Sequence, residues 1–192
     1  MFPLIASRTA LVIIDVQQGF DELELAGQRR NNPQALGRIV DLLDDFRAKA
    51  ATVIHVRHES RDPRSPFRQG QTGFAVKEDV RERPGEAVIV KHENSAFIGT
   101  DLESHLRRHD IDTLVIVGAT TNHCVETTTR MAGNLGFKTV LVRDATWTFD
   151  RQGVDGELFS ADQIHAVSLA NLKDEFAEIA MADDVVRRLS TV

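Results

Sequence analysis

Cys124 is the sole cysteine of the 192-residue chain, and its neighbours make it a candidate nucleophile. The apolar residues 114–117 read as a buried strand that Gly118 ends, and Thr121 or Asn122 is placed to cap a helix behind it. That order predicts a thiol in the first turn of a helix, at the carboxyl end of a central strand, where open α/β sheets bind their ligands. The partial positive charge of a helix N-terminus lowers a thiol pKa, so the placement also predicts a tendency towards thiolate. A lone cysteine is more commonly an inert small hydrophobe. The succession of strand, glycine, cap and cysteine is what sets this one apart.

Two further strand ends carry groups that a thiol nucleophile could use. Residues 9–15 are an apolar run that ends on Asp15, and residues 87–90 lead into Lys91. An acid alone at a strand end is usually a turn or cap residue, and a lysine alone is usually a solvated charge. In a parallel sheet, however, all carboxyl ends share one edge, so these side chains can converge on Cys124. A carboxylate can then take the thiol proton while a cation holds the two anionic groups in place.

The elements that must position them alternate along the chain. Strands are expected at residues 9–15, 52–56, 87–90, 113–117, 139–142 and 176–181. Pro33 can open a helix with Leu36, Ile39, Val40, Leu43, Phe46 and Ala50 on one stripe. Further helices are expected over 101–109, with Leu102 and Leu106 inward, from Cys124 to about Leu135 with Gly136 as C′, and over 162–175, with Ile164, Val167, Ser168 and Leu172 inward. A last short helix can start at Asp183. Strands covered on both faces read as unbroken apolar runs, and helical crossovers make the sheet mostly parallel, so the fold class is α/β in three layers.

Composition bounds the function. The length predicts one domain over residues 1–192, with a core large enough to need no staples. A single cysteine leaves no internal disulfide, and no segment reads as a signal peptide or a membrane span, so the expected location is cytoplasmic and no membrane is involved. A net charge of −6 with scattered arginines argues against nucleic acid as a partner. There is no Gly-x-Gly-x-x-Gly after the first strand, only Asp15-Val-Gln-Gln-Gly19, which disfavours a nucleotide-binding module, and no resolving cysteine for a thiol redox protein. Residues 58–86 contain no clear element and hold three of the prolines, which suggests a lid, a binding loop or an oligomer contact rather than a plain surface excursion.

Four segments together resemble the isochorismatase-like cysteine hydrolases, a superfamily that includes nicotinamidases and N-carbamoylsarcosine amidases. They are Ala-Leu-Val-Ile-Ile-Asp-Val-Gln-Gln-Gly-Phe (10–20), Val-Lys-His-Glu-Asn-Ser-Ala-Phe (90–97), Gly-Ala-Thr-Thr-Asn-His-Cys-Val-Glu-Thr-Thr (118–128) and Val-Arg-Asp-Ala-Thr (142–146). The resemblance implies a six-stranded sheet in the order 3-2-1-4-5-6 and an Asp–Lys–Cys triad at Asp15, Lys91 and Cys124. It also implies a cis peptide between Ala119 and Thr120, an oxyanion hole from the N–H groups of Thr120 and Cys124, and a homo-oligomer, dimer or tetramer. The implied partner is a small-molecule amide or carbamoyl compound, hydrolysed through a thioester with no cofactor. Phe20, Phe97, His123 and Trp147 are the pocket walls that the resemblance suggests. Gln17 is a polar neighbour of Asp15, and Asp144 is expected to fix a loop.

The chain departs from the nicotinamidases after the second strand. Those relatives hold a divalent metal there through an Asp-x-His pair and a second histidine. This chain reads His55-Val-Arg-His58-Glu-Ser-Arg-Asp-Pro, and its two histidines would leave a strand on different sides, so no metal is expected. Cleavage of a vinyl ether, the namesake reaction, does not need the thiol. It stays as the alternative to amide hydrolysis, beside a catalytically inactive member of the superfamily.

Overall fold

A computed structural model describes residues 2–191 of the chain. Six strands form its main sheet: β1 (Thr9–Ile14), β2 (Thr52–His58), β3 (Ala87–Lys91), β4 (Thr113–Ala119), β5 (Lys138–Trp147) and β6 (Glu178–Ala180). They lie in the order β3-β2-β1-β4-β5-β6 with every neighbouring pair parallel. Six helices, α1 (Gly19–Leu25), α2 (Ala35–Ala48), α3 (Leu102–Arg108), α4 (Glu126–Asn134), α5 (Ala161–Leu172) and α6 (Ala182–Arg188), complete an α/β fold of the expected class and strand order.

The period-two alternation of the strands splits the core in two. Leu11, Ile13, Val115, Val117, Val140 and Val142 face α2 and α6, where Ile39, Leu42, Leu43, Phe46 and Val185 meet them. Their sequence neighbours Val12, Ile14, Leu114, Ile116 and Leu141 face α3, α4 and α5 through Leu102, Leu106, Ala132 and Leu172. Both faces of β1 and β4 are therefore dry, and each fully buried aliphatic side chain contributes about 1.5–3 kcal/mol. That rigid centre fixes where β1 and β4 end.

The larger departures from the sequence reading are in the fifth strand, in α5 and ahead of α4, and the second strand also runs two residues further, to His58. The fifth strand is expected over 139–142 but runs from Lys138 to Trp147. Leu141 pairs with Ile116, whereas Thr146 pairs with Gly118, so extra residues of β5 bulge out of the ladder around Arg143 and Asp144. Asn32 Nδ2 satisfies the carbonyls of Arg143 and Thr146, and Asp144 accepts the Ala182 N–H at the start of α6. Helix α5 starts at Ala161 because Ser160 and Gln163 form a capping box, and it ends at Leu172 rather than continuing to 175. Its buried side is Ala161, His165, Ser168 and Leu172, while Val167, expected inward, is 60% exposed. Finally, residues 121–125 form a π turn ahead of α4, not a capped α-helical start.

The long segment after β2 is pinned to the sheet edge. The Gln18 N–H donates to the Ala75 carbonyl and the Lys77 N–H to the Val16 carbonyl. Gly73 packs so close to Gly19 that a Cβ on Gly73 would come within 2.9 Å of the Gly19 Cα. This return path seats Phe67 against Phe20, with ring centroids 4.7 Å apart.

Candidate active site

Asp15, Lys91 and Cys124 converge at the carboxyl edge of the sheet. Asp15 follows β1 with φ of 51°, the left-handed region that aspartate tolerates better than most residues. Its N–H donates to the Val56 carbonyl of β2. Next to it, Gly118 has φ of +115°, and a Cβ there would lie 2.0 Å from the Ile14 carbonyl oxygen. Only glycine lets β4 pass this close to the end of β1. The peptide bond between Ala119 and Thr120 is cis.

Cys124 sits in the π turn, a feature found often at functional sites. Neither Thr121 nor Asn122 caps the helix. The Thr121 hydroxyl pairs with His165 Nδ1, and Asn122 Oδ1 accepts the Thr148 hydroxyl. These bonds tie the turn to α5 and to the segment after β5, so two neighbouring elements hold the cysteine loop.

The polar centre behind the thiol is dense. Lys91 is fully buried, and its Nζ lies 2.8 Å from Asp15 Oδ2, 3.3 Å from His58 Nδ1 and 3.2 Å from the Glu93 carbonyl. Burial works against the ammonium charge, but Asp15 and Cys124 more than offset it and hold Lys91 above the usual lysine range. Asp15 Oδ1 is buried and has no hydrogen-bond partner. Burial, and then the Asp15 charge, push the Cys124 thiol up to about 12, with Lys91 acting in the opposite direction. That direction is opposite to the one expected of a thiol at a helix end. Partial desolvation beside a carboxylate outweighs the dipole of a helix whose first turn is irregular.

A cavity of about 250 Å³ opens onto these groups. Asp15, His58, Asn94, Thr120 and Cys124 form its polar floor; Phe20, Leu23, Phe67 and Phe149 make an apolar wall; Gln28, His123, Thr148 and Arg151 complete the lining. Of the residues singled out from sequence, Asp15, Phe20, Thr120, His123 and Cys124 line the cavity, and Lys91 lies directly behind Asp15. Three do not line it. Gln17 is fully buried, and its side chain brackets the His58 backbone, accepting the N–H at 2.9 Å and donating to the carbonyl at 3.1 Å. Phe97 stacks on Phe137 in the core beneath α3 and α4. Trp147 is completely buried behind Phe20, edge-on at 5.9 Å, with the Arg30 guanidinium over its other side. Trp147 belongs to the lengthened β5, and a side chain inside that strand packs into the core.

His58, Asn94, Phe67, Phe149 and Arg151 were missed. For His58 the signal was available: it ends β2 and pairs in register with Lys91. The others lie on connections that sequence alone does not place.

The ligating atoms of Asp15, His58 and Cys124 fall within 4.8 Å of one another. The Lys91 ammonium already occupies this cluster, bonded to Asp15 and His58, so the donor set is matched to that cation and does not fit a second one. His55 is 1% exposed and bonds Glu86 instead.

Comparison with known proteins identifies the family and the fold. The isochorismatase domain profile matches residues 9–184. The isochorismatase family protein YrdC of Bacillus subtilis is 45% identical over 93% of this chain and 95% of its own. A crystal structure of an isochorismatase-family protein from Chromobacterium violaceum superimposes with a TM-score of 0.92, at 43% identity, covering 98% of this chain and 97% of that one. A ureidoacrylate amidohydrolase, RutB of Agrobacterium fabrum, is 26% identical over 93% of this chain and 88% of its own. With a profile match across nearly the whole chain and a relative 45% identical over 95% of its own length, this protein belongs to the isochorismatase family of hydrolases.

Proposed function

We propose that the protein hydrolyses a small-molecule amide or carbamoyl C–N bond through a thioester on Cys124. The observation that carries this reading is the buried Asp15–Lys91 pair beside the thiol, with Asp15 Oδ1 left unpartnered. An oxygen in that position is a proton acceptor in waiting. Because the resting thiol is held neutral, attack and proton transfer go together: the S–H proton passes to Asp15 as sulfur bonds to the acyl carbon. Lys91 offsets the negative charge that Asp15 carries before the transfer.

The tetrahedral intermediate places negative charge on oxygen, and the N–H groups of Thr120 and Cys124 are the assigned donors, each worth about 3 kcal/mol. Collapse breaks the C–N bond as Asp15 returns its proton to the leaving nitrogen. Water then attacks the thioester, Asp15 accepts one of its protons, and the carbon–sulfur bond breaks as that proton returns to the thiol. The free acid or carbamate departs. The small cavity with one aromatic wall suits a compact substrate, and the amidohydrolase among the relatives supports C–N chemistry. We further propose a homo-oligomer, on the family resemblance, and a cytoplasmic location, on the lone cysteine.

Rapid quenching with a productive substrate, chosen from a screen of small amides, ureides and carbamoyl compounds by ammonia release, should find the acyl mass on the peptide that contains Cys124. Hydroxylamine should divert it to a hydroxamate, and Cys124→Ala should be inactive. Turnover without an adduct and at an undiminished rate in Cys124→Ser would favour acid-catalysed vinyl ether cleavage, with Asp15 as the proton donor.

A further inference from the structure

His58 is not part of the triad, yet it is built into the same centre. It closes β2, opposite Lys91 in register, and the buried Gln17 amide holds its backbone on both the N–H and the carbonyl side. The second bond of Gln17 Nε2, to the Phe74 carbonyl, ties this clamp to the returning loop. The position of the ring is therefore set by the fold. Its Nδ1 lies 3.3 Å from Lys91 Nζ. An ammonium has only donors, so Nδ1 must carry the lone pair and the proton must sit on Nε2.

We propose that neutral His58 is a positioning residue of the reacting centre, accepting one Lys91 N–H so that the ammonium is locked onto Asp15 Oδ2 and Asp15 Oδ1 stays free for the Cys124 proton. The proposal rests on the amide-hydrolase reading of the site. The three N–H groups of Lys91 have three acceptors here: Asp15 Oδ2, His58 Nδ1 and the Glu93 carbonyl. Remove the imidazole acceptor and a buried donor is orphaned, so the ammonium is drawn towards the unpartnered Asp15 Oδ1. The base would then be occupied by the group meant to orient it.

The same geometry makes the centre sensitive to acid. The charged and titratable groups that face His58 are Lys91, Asp15, Cys124, His92 and Glu93. A proton on Nδ1 places a second cation against Lys91 and removes the acceptor at once. It also gives Asp15 two cations to neutralise it, which weakens it as a base. Burial, and then Lys91, hold the His58 pKa below the ordinary histidine range, so the neutral form persists into mildly acidic solution. The active form is the deprotonated one, so kcat falls as pH drops through that titration.

The test uses two substitutions and one titration. In His58→Asn the amide oxygen can stand where Nδ1 stands and cannot be protonated. Its kcat at neutral pH should stay within about threefold of the parent, and its acid-side fall should move to lower pH. In His58→Leu, kcat should drop about 10- to 100-fold, the rate equivalent of a lost hydrogen bond to a charged group, with KM little changed. The proposal is overturned if His58→Leu keeps the parent kcat, if His58→Asn falls as far as His58→Leu, or if His58→Asn keeps the parent's acid limb. Independently of any substrate, the imidazole resonance of His58 should titrate at higher pH in Lys91→Met than in the parent, because the neighbouring cation is gone. An unchanged titration overturns the contact itself. That arm stands even if Cys124→Ala proves active, so failure of the amide-hydrolase reading can be told apart from failure of this one.

Discussion

Two clusters of the same composition sit on strand β2, three residues apart. In one, Arg47, Glu86 and His55 meet; in the other, Lys91, Asp15 and His58. Each is a cation, a carboxylate and an imidazole, drawn largely out of water, and in each the imidazole is pushed below its usual pKa, chiefly by burial. They differ in how completely the carboxylate is satisfied. Glu86 takes Arg47 on both oxygens, and its Oε2 also meets His55 Nε2 and the Arg83 N–H. Asp15 has Lys91 on one oxygen and no hydrogen bond on the other, and its carboxylate lines the cavity beside Cys124. A carboxylate bonded on both oxygens holds β2 and the long loop together, whereas one with an open oxygen is equipped to move a proton. Residue types alone do not distinguish the two.

The largest test of that contrast exchanges the charges. Asp15→Asn should lower kcat by about a thousandfold or more because the proton acceptor is gone, and it should also lower the thermal midpoint because the buried Lys91 ammonium loses its counter-charge. Glu86→Gln should leave kcat within about threefold while costing about 1–2 kcal/mol of stability, read by urea unfolding, so the two substitutions part company in kcat. The Glu86 carboxyl is held down to about 2: burial opposes its charge, and the bonds from Arg47, the Arg83 N–H and His55 prevail. A depressed folded-state pKa gives stability that is present above the unfolded value of 4.5 and is lost as pH falls towards about 2. The parent should therefore lose this increment across that window and Glu86→Gln should not. Equal effects of both substitutions on kcat would dissolve the distinction.

A smaller effect should appear in thiol reactivity. With Cys124 pushed up to about 12, the native thiol should alkylate with iodoacetamide more slowly than the unfolded thiol at mildly alkaline pH. We expect a difference of at least about tenfold. Faster alkylation of the native protein would mean that Lys91 and the helix end outweigh Asp15, and that the resting nucleophile is thiolate. The smallest expected change is none: prolonged EDTA treatment should leave activity intact, since the Lys91 ammonium fills the place between Asp15 and His58. Loss of activity that zinc, iron or manganese restores would break that assignment.

Much of this arrangement could be read before folding. The unbroken apolar runs that end at Asp15 and before Gly118 announced central strands, and the parallel crossovers placed their ends on one edge. The α/β class and the shared edge of Asp15, Lys91 and Cys124 follow from local pattern, whereas the strand order was implied by the family resemblance. The boundaries of β5 and α5 were less legible. A bulge around Arg143 and a capping box at Ser160 are settled by distant partners or by side-chain geometry, not by hydrophobic period.

The sequence by itself determined which residue types stand at the strand ends, because strand ends are set by short-range apolar pattern and by glycine. Tertiary structure alone decided the rest. The charge state of Cys124 depends on its burial and its distance from Asp15, and Trp147 became core because β5 continues past its bulge. His58 entered the reacting centre because β2 and β3 pair in one register, which brings its ring to Lys91. Proton affinity and hydrogen-bond satisfaction are properties of through-space neighbours, and neighbours from different strands exist only once the sheet has formed.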